Sequence, residues 1–295
     1  MRVTDKMIFQ NAAANAAKSR DRAQTAMEQV STGMRVVHPG DDPTVAAMMV
    51  RGQQTVDRMN AISQNASRAG DEANAADSAL QSLSDVLARA RELAVQMGND
   101  SYSATDRAGA ATEIDGLVQQ AVTLMNTNVN GRYIFGGNKD QTAPFDTAGN
   151  YNGDTAVRQV EVAPGVLEDS SVRADVAVKG AGGGVDLFAT LQSLSTAMRS
   201  NNGNAIRGSL SDLTTSTIQV TSTLAQVGAM GDAFATAQTL AKSTSDATTK
   251  NVANQSEADV IESSSQLALA NSALNATLTA AAQSFNLSLV NKLGG

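Results

Sequence analysis

From Ser263 to Asn291 the sequence carries no charged residue, yet its apolar residues keep helical spacing. From Val260 onward they stand at Leu267, Leu274, Leu278, Ala281, Phe285 and Leu289. Steps of seven, four and three lay one stripe along an α-helix. The rest of that stretch is Ser, Thr, Asn, Gln and Ala. A helix with a water-facing side normally carries Lys and Glu there, often as i,i+4 pairs. Here that side is neutral, so the pattern predicts a helix packed against protein all round. A membrane span is excluded, because no apolar run reaches about eighteen residues. An Ala/Ser-rich low-complexity tail would share the composition, but not the regular stripe.

The totals narrow the class further. The 295 residues carry a formal charge of −7, which disfavours nucleic acid as a partner. Aromatic residues make up 3% of the chain and Trp is absent, so apolar volume comes largely from Ala, with Leu, Val and Met. Such volume suits close helix–helix contact better than one thick core. With no Cys there is no disulfide, thiolate nucleophile or Cys-based metal site, and an exported, unstapled protein would tolerate that absence. The start, Met1-Arg-Val-Thr-Asp-Lys6, lacks the apolar core of a signal peptide. The expectation is no cleaved signal and no membrane anchor, with any export by a signal-independent route.

Along the chain, residues 5–30 read as a helix striped by Phe9, Ala13, Ala16, Ala23, Met27 and Val30. An Ala-rich stripe holds poorly alone and needs a partner. Gly33 stops this helix, Pro39-Gly40 forces a turn, and Asp42 is placed to cap a helix that has Pro43 at its first position. A long pattern follows from Thr44 to Gln96, through Val45, Met49, Val56, Met59, Ala66, Ala73, Leu80, Leu83 and Leu87. Its length without internal caps predicts a coiled-coil rod. Ser103-Ala-Thr-Asp106 opens a second rod helix, striped by Ile114, Leu117, Ala121 and Leu124.

At Asn128 the texture changes. Asn130-Gly131, Gly136-Gly137, Gly149-Asn150 and Asn152-Gly153 are turn signals between short β-prone runs at 133–135, 157–162 and 172–178. Tyr133, Phe135, Phe145 and Tyr151 could form a small separate core, with the glycines at 180–184 as a flexible return. Asp186 caps a short helix ended by Asn201-Asn-Gly-Asn204. Ile206, Leu210, Leu213, Val220, Leu224 and Val227 then stripe another rod helix, with a weak point at Gly228-Ala-Met-Gly231. The fold expected is mainly α: an elongated antiparallel helical coiled-coil rod from both chain ends, with a small β-rich insertion. Its parts would be 1–45 with 251–295, 46–127 with 185–250, and 128–184.

Catalytic material is scarce. His38 is the one histidine, in a turn, and a surface residue explains it better than a base or ligand. The glycines at 180–184 have no following Lys-Ser or Lys-Thr, so a linker fits better than a phosphate cradle. Asn150 to Asp154 with Glu161 has a faint likeness to a Ca²⁺ loop, but its glycine is misplaced and no helices flank it. Asp41-Asp42 reads as a helix start. No enzyme is expected, and no cofactor or metal.

Ser31-Thr-Gly-Met-Arg35 followed by Pro39-Gly-Asp-Asp-Pro43 resembles the Ser-Thr-Gly-x-Arg…Asp-Asp turn of the flagellin family. Three features resemble the hook–filament junction members of that family more than the filament members. They are Asp42-Pro43, Asn130-Gly-Arg-Tyr-Ile-Phe-Gly-Gly-Asn138 with Pro144-Phe145, and the ending Phe285-Asn-Leu-Ser-Leu-Val-Asn291. One departure is Gly228-Ala-Met-Gly231, which lacks the Arg-Asn expected after Gly-Ala. The resemblance implies an extracellular structural subunit, exported unfolded through the flagellar type III apparatus, that stacks on the hook and seats the first flagellins. Implied partners are copies of itself in a helical ring, a hook-associated protein on the hook side, flagellin on the filament side and an export chaperone, with neither nucleic acid nor membrane. Terminal helices would line an inner tube, so Phe9, Met27, Val30, Val260, Leu267, Leu274, Leu278, Phe285 and Leu289 are the expected subunit contacts. The rival readings are flagellin itself and, more remotely, a cytoplasmic signalling helical hairpin, which would lack the β insertion.

Overall fold

The structure, a computed structural model, describes the backbone of residues 2–293, with the side chains of residue 7 and residues 10–283. Its helices are α1 (Arg2–Thr32), α2 (Pro43–Met97), α3 (Ala104–Met125), α4 (Ala174–Val178), α5 (Leu187–Arg199), α6 (Gly203–Ser256) and α7 (Val260–Leu293). Four short strands, β1 (Asn128–Val129), β2 (Arg132–Tyr133), β3 (Gln159–Ala163) and β4 (Val166–Asp169), form two antiparallel hairpins between α3 and α4. Contacts divide the chain into two units, residues 1–58 with 244–295 and residues 59–243. The sequence-based division placed these boundaries near 45 and 250 and made 128–184 a third part. Those residues instead lie within the second unit.

In the second unit, α2 buries Met59, Ile62, Ala66, Ala69, Ala73, Ala76, Leu80, Leu83, Leu87, Ala90, Ala94 and Met97. The steps alternate three and four, a 3.5-residue period that imposes left-handed supercoiling. On α6, Ile206, Leu213, Val220, Val227, Phe234 and Ala241 are buried seven residues apart. The register is antiparallel. Near Gly70 a side-chain carbon would stand 3.9 Å from Phe234 Cβ, and the Arg207 guanidinium donates to Gly98 O. Small residues over the first half of this seam leave room for the Phe234 ring, and leucines take over in the second.

The helix ends follow the sequence closely. Ser103 and Asp106 form a reciprocal capping box at α3. Asp186 Oδ1 accepts from Phe188 and Ala189 at α5, and Asn202 Oδ1 accepts from Ala205 at α6. Buried Arg107 of α3 donates to Met97 O at 2.9 Å and Asn99 O at 3.0 Å, capping the last carbonyls of α2. The weak point expected at Gly228–Gly231 does not interrupt α6, which runs through both glycines. Tertiary packing on Val227 and Phe234 outweighs a cost of about 1 kcal/mol for each Gly.

Two polar residues of α6, Ser216 and Thr223, are buried in this core. Ser216 of α6 is fully buried, and its Oγ has no hydrogen-bond partner. Ser216→Ala removes an unsatisfied hydroxyl and improves helix propensity. It is expected to raise unfolding free energy by about 1–2 kcal/mol, read as a higher denaturation midpoint in urea at unchanged slope.

The insertion is joined to these helices rather than standing apart. Asn130 and Gly131 take φ of 52° and 84°, the left-handed pair that a two-residue β1–β2 turn requires. Ile134, Phe135 and Phe145 then enter the same core as Leu187, Phe188 and Leu191 of α5. Phe145 packs against Phe188 at a tilt of 42°, with ring centroids 5.3 Å apart. Asn126 at the end of α3 brackets Phe145 by donating to its carbonyl and accepting from its N–H. Arg158 bridges Glu72 of α2, at 2.6 Å, and Asp140, at 3.1 Å.

Residues 172–178, expected as a β-prone run, contain helix α4. A single turn buries Ala174, Ala177 and Val178 at spacing of three and four, and that burial overrides the local valine preference. The glycines at 180–184 are a built turn, not a loose linker. Gly180 has φ of 76°, and an added side-chain carbon would lie 2.8 Å from Val185 backbone. Gln219 fixes the exit by accepting from Val185 N and donating to Val185 O.

Candidate assembly surface of the terminal helices

The first unit is built on α1 and α7, which pack against one another. On α1 a row of buried or half-buried residues runs through Ala12, Ala16, Ser19, Ala23, Ala26 and Val30, with Glu28 and Gln29 half-buried off that row. On α7 the row is Ser263, Leu267, Ala270, Leu274, Thr277 and Ala281. Both sets alternate steps of three and four, so a strict a/d repeat forms the seam. Eight of those twelve side chains are Ala or Ser, and small residues let two helix backbones approach closely.

The large apolar side chains lie elsewhere. Met7 is 56% exposed, Met27 62%, Val260 54%, Ile261 83%, Leu269 67% and Leu278 51%. A self-sufficient helical pair would bury its leucines and expose its alanines, because burying a Leu side chain is worth about 1.5–3 kcal/mol. Here several of the largest apolar groups stay in water. At 3.6 residues per turn, Leu278 sits roughly 60° from the seam centre, Leu269 roughly 120° and Ile261 roughly 160°. The exposed apolar groups thus surround α7 on its free sides instead of forming one stripe.

Of the contacts expected from sequence, Val30, Leu267 and Leu274 are half-buried in the α1–α7 seam. They serve the fold of the unit. Met27, Val260 and Leu278 are exposed and available to another molecule. The side chains of Phe9, Phe285 and Leu289 lie outside the described residues. The single stripe expected to hold Leu274 and Leu278 together divides between seam and surface, because α7 meets α1 along a 3.5-residue repeat. Leu269 and Ile261 were missed, since a search for one stripe discards apolar residues that fall off it. The signal that finds them is the Ser263–Ala270–Thr277 row, which reveals the seam and leaves the leucine at 269 outside. Leu269 also borders a shallow groove lined by Ser19, Arg22, Ala26, Ala270 and Ala273.

The turn between α1 and α2 is held by the motif at 31–43. Gly33, at φ of 70°, ends α1. Met34 pairs with Glu257 as an antiparallel bridge, Arg35 N donates to Ser256 O at 2.7 Å, and Ala258 N donates to Gly33 O at 2.9 Å. The Arg35 guanidinium donates to Gln255 O at 2.8 Å and pairs with Asp42 at 3.4 Å. Asp42 Oδ1 accepts from Thr44 and Val45 N–H, capping α2 as expected. The Val45 N–H, helped by Arg35, holds the Asp42 carboxyl below the usual carboxylate range. Asp41 accepts from the N–H groups of Val37 and His38, whose ring is largely exposed.

The residues set aside as a Ca²⁺ loop have other work. Asp154 Oδ1 accepts from Asn138 and Ala156 N–H, and Glu161 accepts from Gly165 N–H. No group of three His, Asp or Glu side chains able to hold a metal occurs among the described residues.

Residues 3–140 match the family model described as the bacterial flagellin N-terminal helical region. The chain is similar to flagellar hook-associated protein 3 of Salmonella typhimurium, with 33% identity over 162 residues, 54% of this chain and 51% of that protein. It is similar over a shorter stretch to flagellin of Clostridium tyrobutyricum, with 30% identity over 43% of this chain and 34% of that protein. The chain therefore matches about half the length of the curated hook-associated relative. In fold it is similar to a putative flagellar hook-associated protein from Vibrio parahaemolyticus, with a TM-score of 0.67 and 19% identity over 74% of this chain and all of that one.

Proposed function

We propose that this chain, whose residues 3–140 match the bacterial flagellin N-terminal helical region, is a structural subunit of the flagellum at the junction of hook and filament. The longer match to hook-associated protein 3 than to flagellin favours the junction over the filament body. One physical observation carries the structural role: α1 and α7 spend their small residues on each other and leave Met27, Ile261, Leu269 and Leu278 in solvent. Exposed apolar side chains on several sides of a helix free of charge from 263 to 291 suit enclosure by neighbouring copies. In this reading copies of the chain form a ring through α1 and α7, a hook-associated protein lies on the hook side, and flagellin lies on the filament side. An export chaperone is a further partner. In this reading the subunit acts outside the cell and its role is structural.

A purified sample distinguishes a junction subunit from a filament subunit. Under conditions that polymerise flagellin, this chain alone is expected to remain monomeric or to stop at short oligomers by light scattering and electron microscopy. Long filaments of this chain alone would place it with the flagellins.

A further inference from the structure

We propose that the 33–42 segment sets the register of α7 against α1, with Arg35 as the positioning residue. The seam itself carries little register information. Its contacts repeat every seven residues, most are Ala or Ser, and α7 has no charge between 263 and 291 to pair across it. Sliding one helix by a heptad, about 10 Å at 1.5 Å per residue, brings small residues against small residues again. Coiled coils escape this degeneracy by placing a polar or charged group at one layer. The polar members of the described seam are the small hydroxyls of Ser19, Ser263 and Thr277, and none of them is charged.

The directional bonds lie at its end instead. The Arg35 guanidinium sits on Gln255 O in the last turn of α6, where helix carbonyls carry partial negative charge. Its other partner, Asp42, caps the first turn of α2. Arg35 thereby joins the end of α6, through a carbonyl 220 residues away from it in sequence, to the start of α2. Little slack separates these bonds from the seam. Thr32 ends α1 next to Gly33, while α7 starts at Val260, capped by Asp259 through Ile261 and Glu262 N–H. Fixing Gly33 against Ala258 therefore fixes which residues of α1 meet which residues of α7. It also fixes the relative heights of Met27 on one helix and Leu269 on the other.

The absence of Cys makes the test clean. In the full-length protein, Leu267→Cys is combined with Ala16→Cys, Ala23→Cys or Val30→Cys, and disulfide yield is measured after mild oxidation. With Arg35 intact, one of the three pairs is expected to dominate. Arg35→Gln should raise the pair one heptad away about tenfold, the scale of losing charge-assisted bonds of about 1.5–3 kcal/mol. Arg35→Lys, which keeps a cationic donor, should restore the single dominant pair. An unchanged cross-link pattern in Arg35→Gln overturns the proposal, as does a mixed pattern in the parent. Loss of all three cross-links in Arg35→Gln, with helicity retained, also overturns it, because the helices would then have separated and not slipped.

Discussion

Leu269→Asp is expected to leave the purified chain folded and to abolish its incorporation into flagella. Leu269 is 67% exposed, so in the free chain the new carboxylate stays hydrated and stability should change by less than about 0.5 kcal/mol. Once neighbouring copies close around α7, the same charge is buried without a partner. That costs several kcal/mol per ion after relaxation. A compensating exposed salt bridge, worth about 0–1 kcal/mol, cannot offset it. Every copy in the ring repeats the penalty. Leu278→Asp should behave alike. Leu274→Asp should differ, because Leu274 lies in the α1–α7 seam and its charge would part the two helices already in the free chain. Thr221→Asp, on the exposed side of α6, serves as the control. Cells carrying Leu269→Asp should shed flagellin into the medium and lack filaments by electron microscopy. Normal filaments on those cells would remove α7 from the assembly surface.

Deleting residues 128–180 is expected to unfold the second unit, not to trim an ornament from it. Phe135, Ile134 and Phe145 are buried in one core with Leu187, Phe188 and Leu191, and removing them would expose α5 and α3 to water. The ring of Phe188 is the meeting point. It packs at a tilt on Phe145, lies over Gly149 so closely that an added side-chain carbon would come within 2.5 Å, and has the Lys179 ammonium 5.8 Å from its centroid. The single substitution Phe188→Ala should therefore cost about 3–5 kcal/mol. In a unit of this size that corresponds to a fall in Tm of roughly 10 °C. Full helicity and an unchanged melting temperature after deletion would show that the hairpins are an independent module.

The mainly helical architecture was legible because its signals are local and repeated. A heptad pattern from Met59 to Met97, an N-cap at Ser103 and a turn at Asn130-Gly131 each have a short-range cause. Three things were not legible in this way. The fate of 172–178 was decided by the core that receives Ala174, Ala177 and Val178, which no single-segment preference contains. The unbroken passage of α6 through Gly228 and Gly231 depended on packing at Val227 and Phe234. The insertion was read as autonomous because its aromatic residues cluster in sequence, whereas Phe145 finds Phe188 forty-three positions later.

The terminal surface was legible in part. The missing charge from 263 to 291 pointed to enclosure by protein, but not to which face meets α1. That choice is set by a seam of Ala and Ser, which hydrophobic scoring undervalues. The motif at 31–43 stood out as a turn with caps. Its bonds to Gln255, Ser256 and Ala258 join the two ends of the chain and have no local signature.

Where the chain sits on the intact flagellum tests the central claim most directly. Gold-labelled antibody raised against residues 59–243, applied to flagella under electron microscopy, should mark one narrow zone between hook and filament on each flagellum. Label distributed along the filament, with none concentrated at the hook, would contradict a junction subunit.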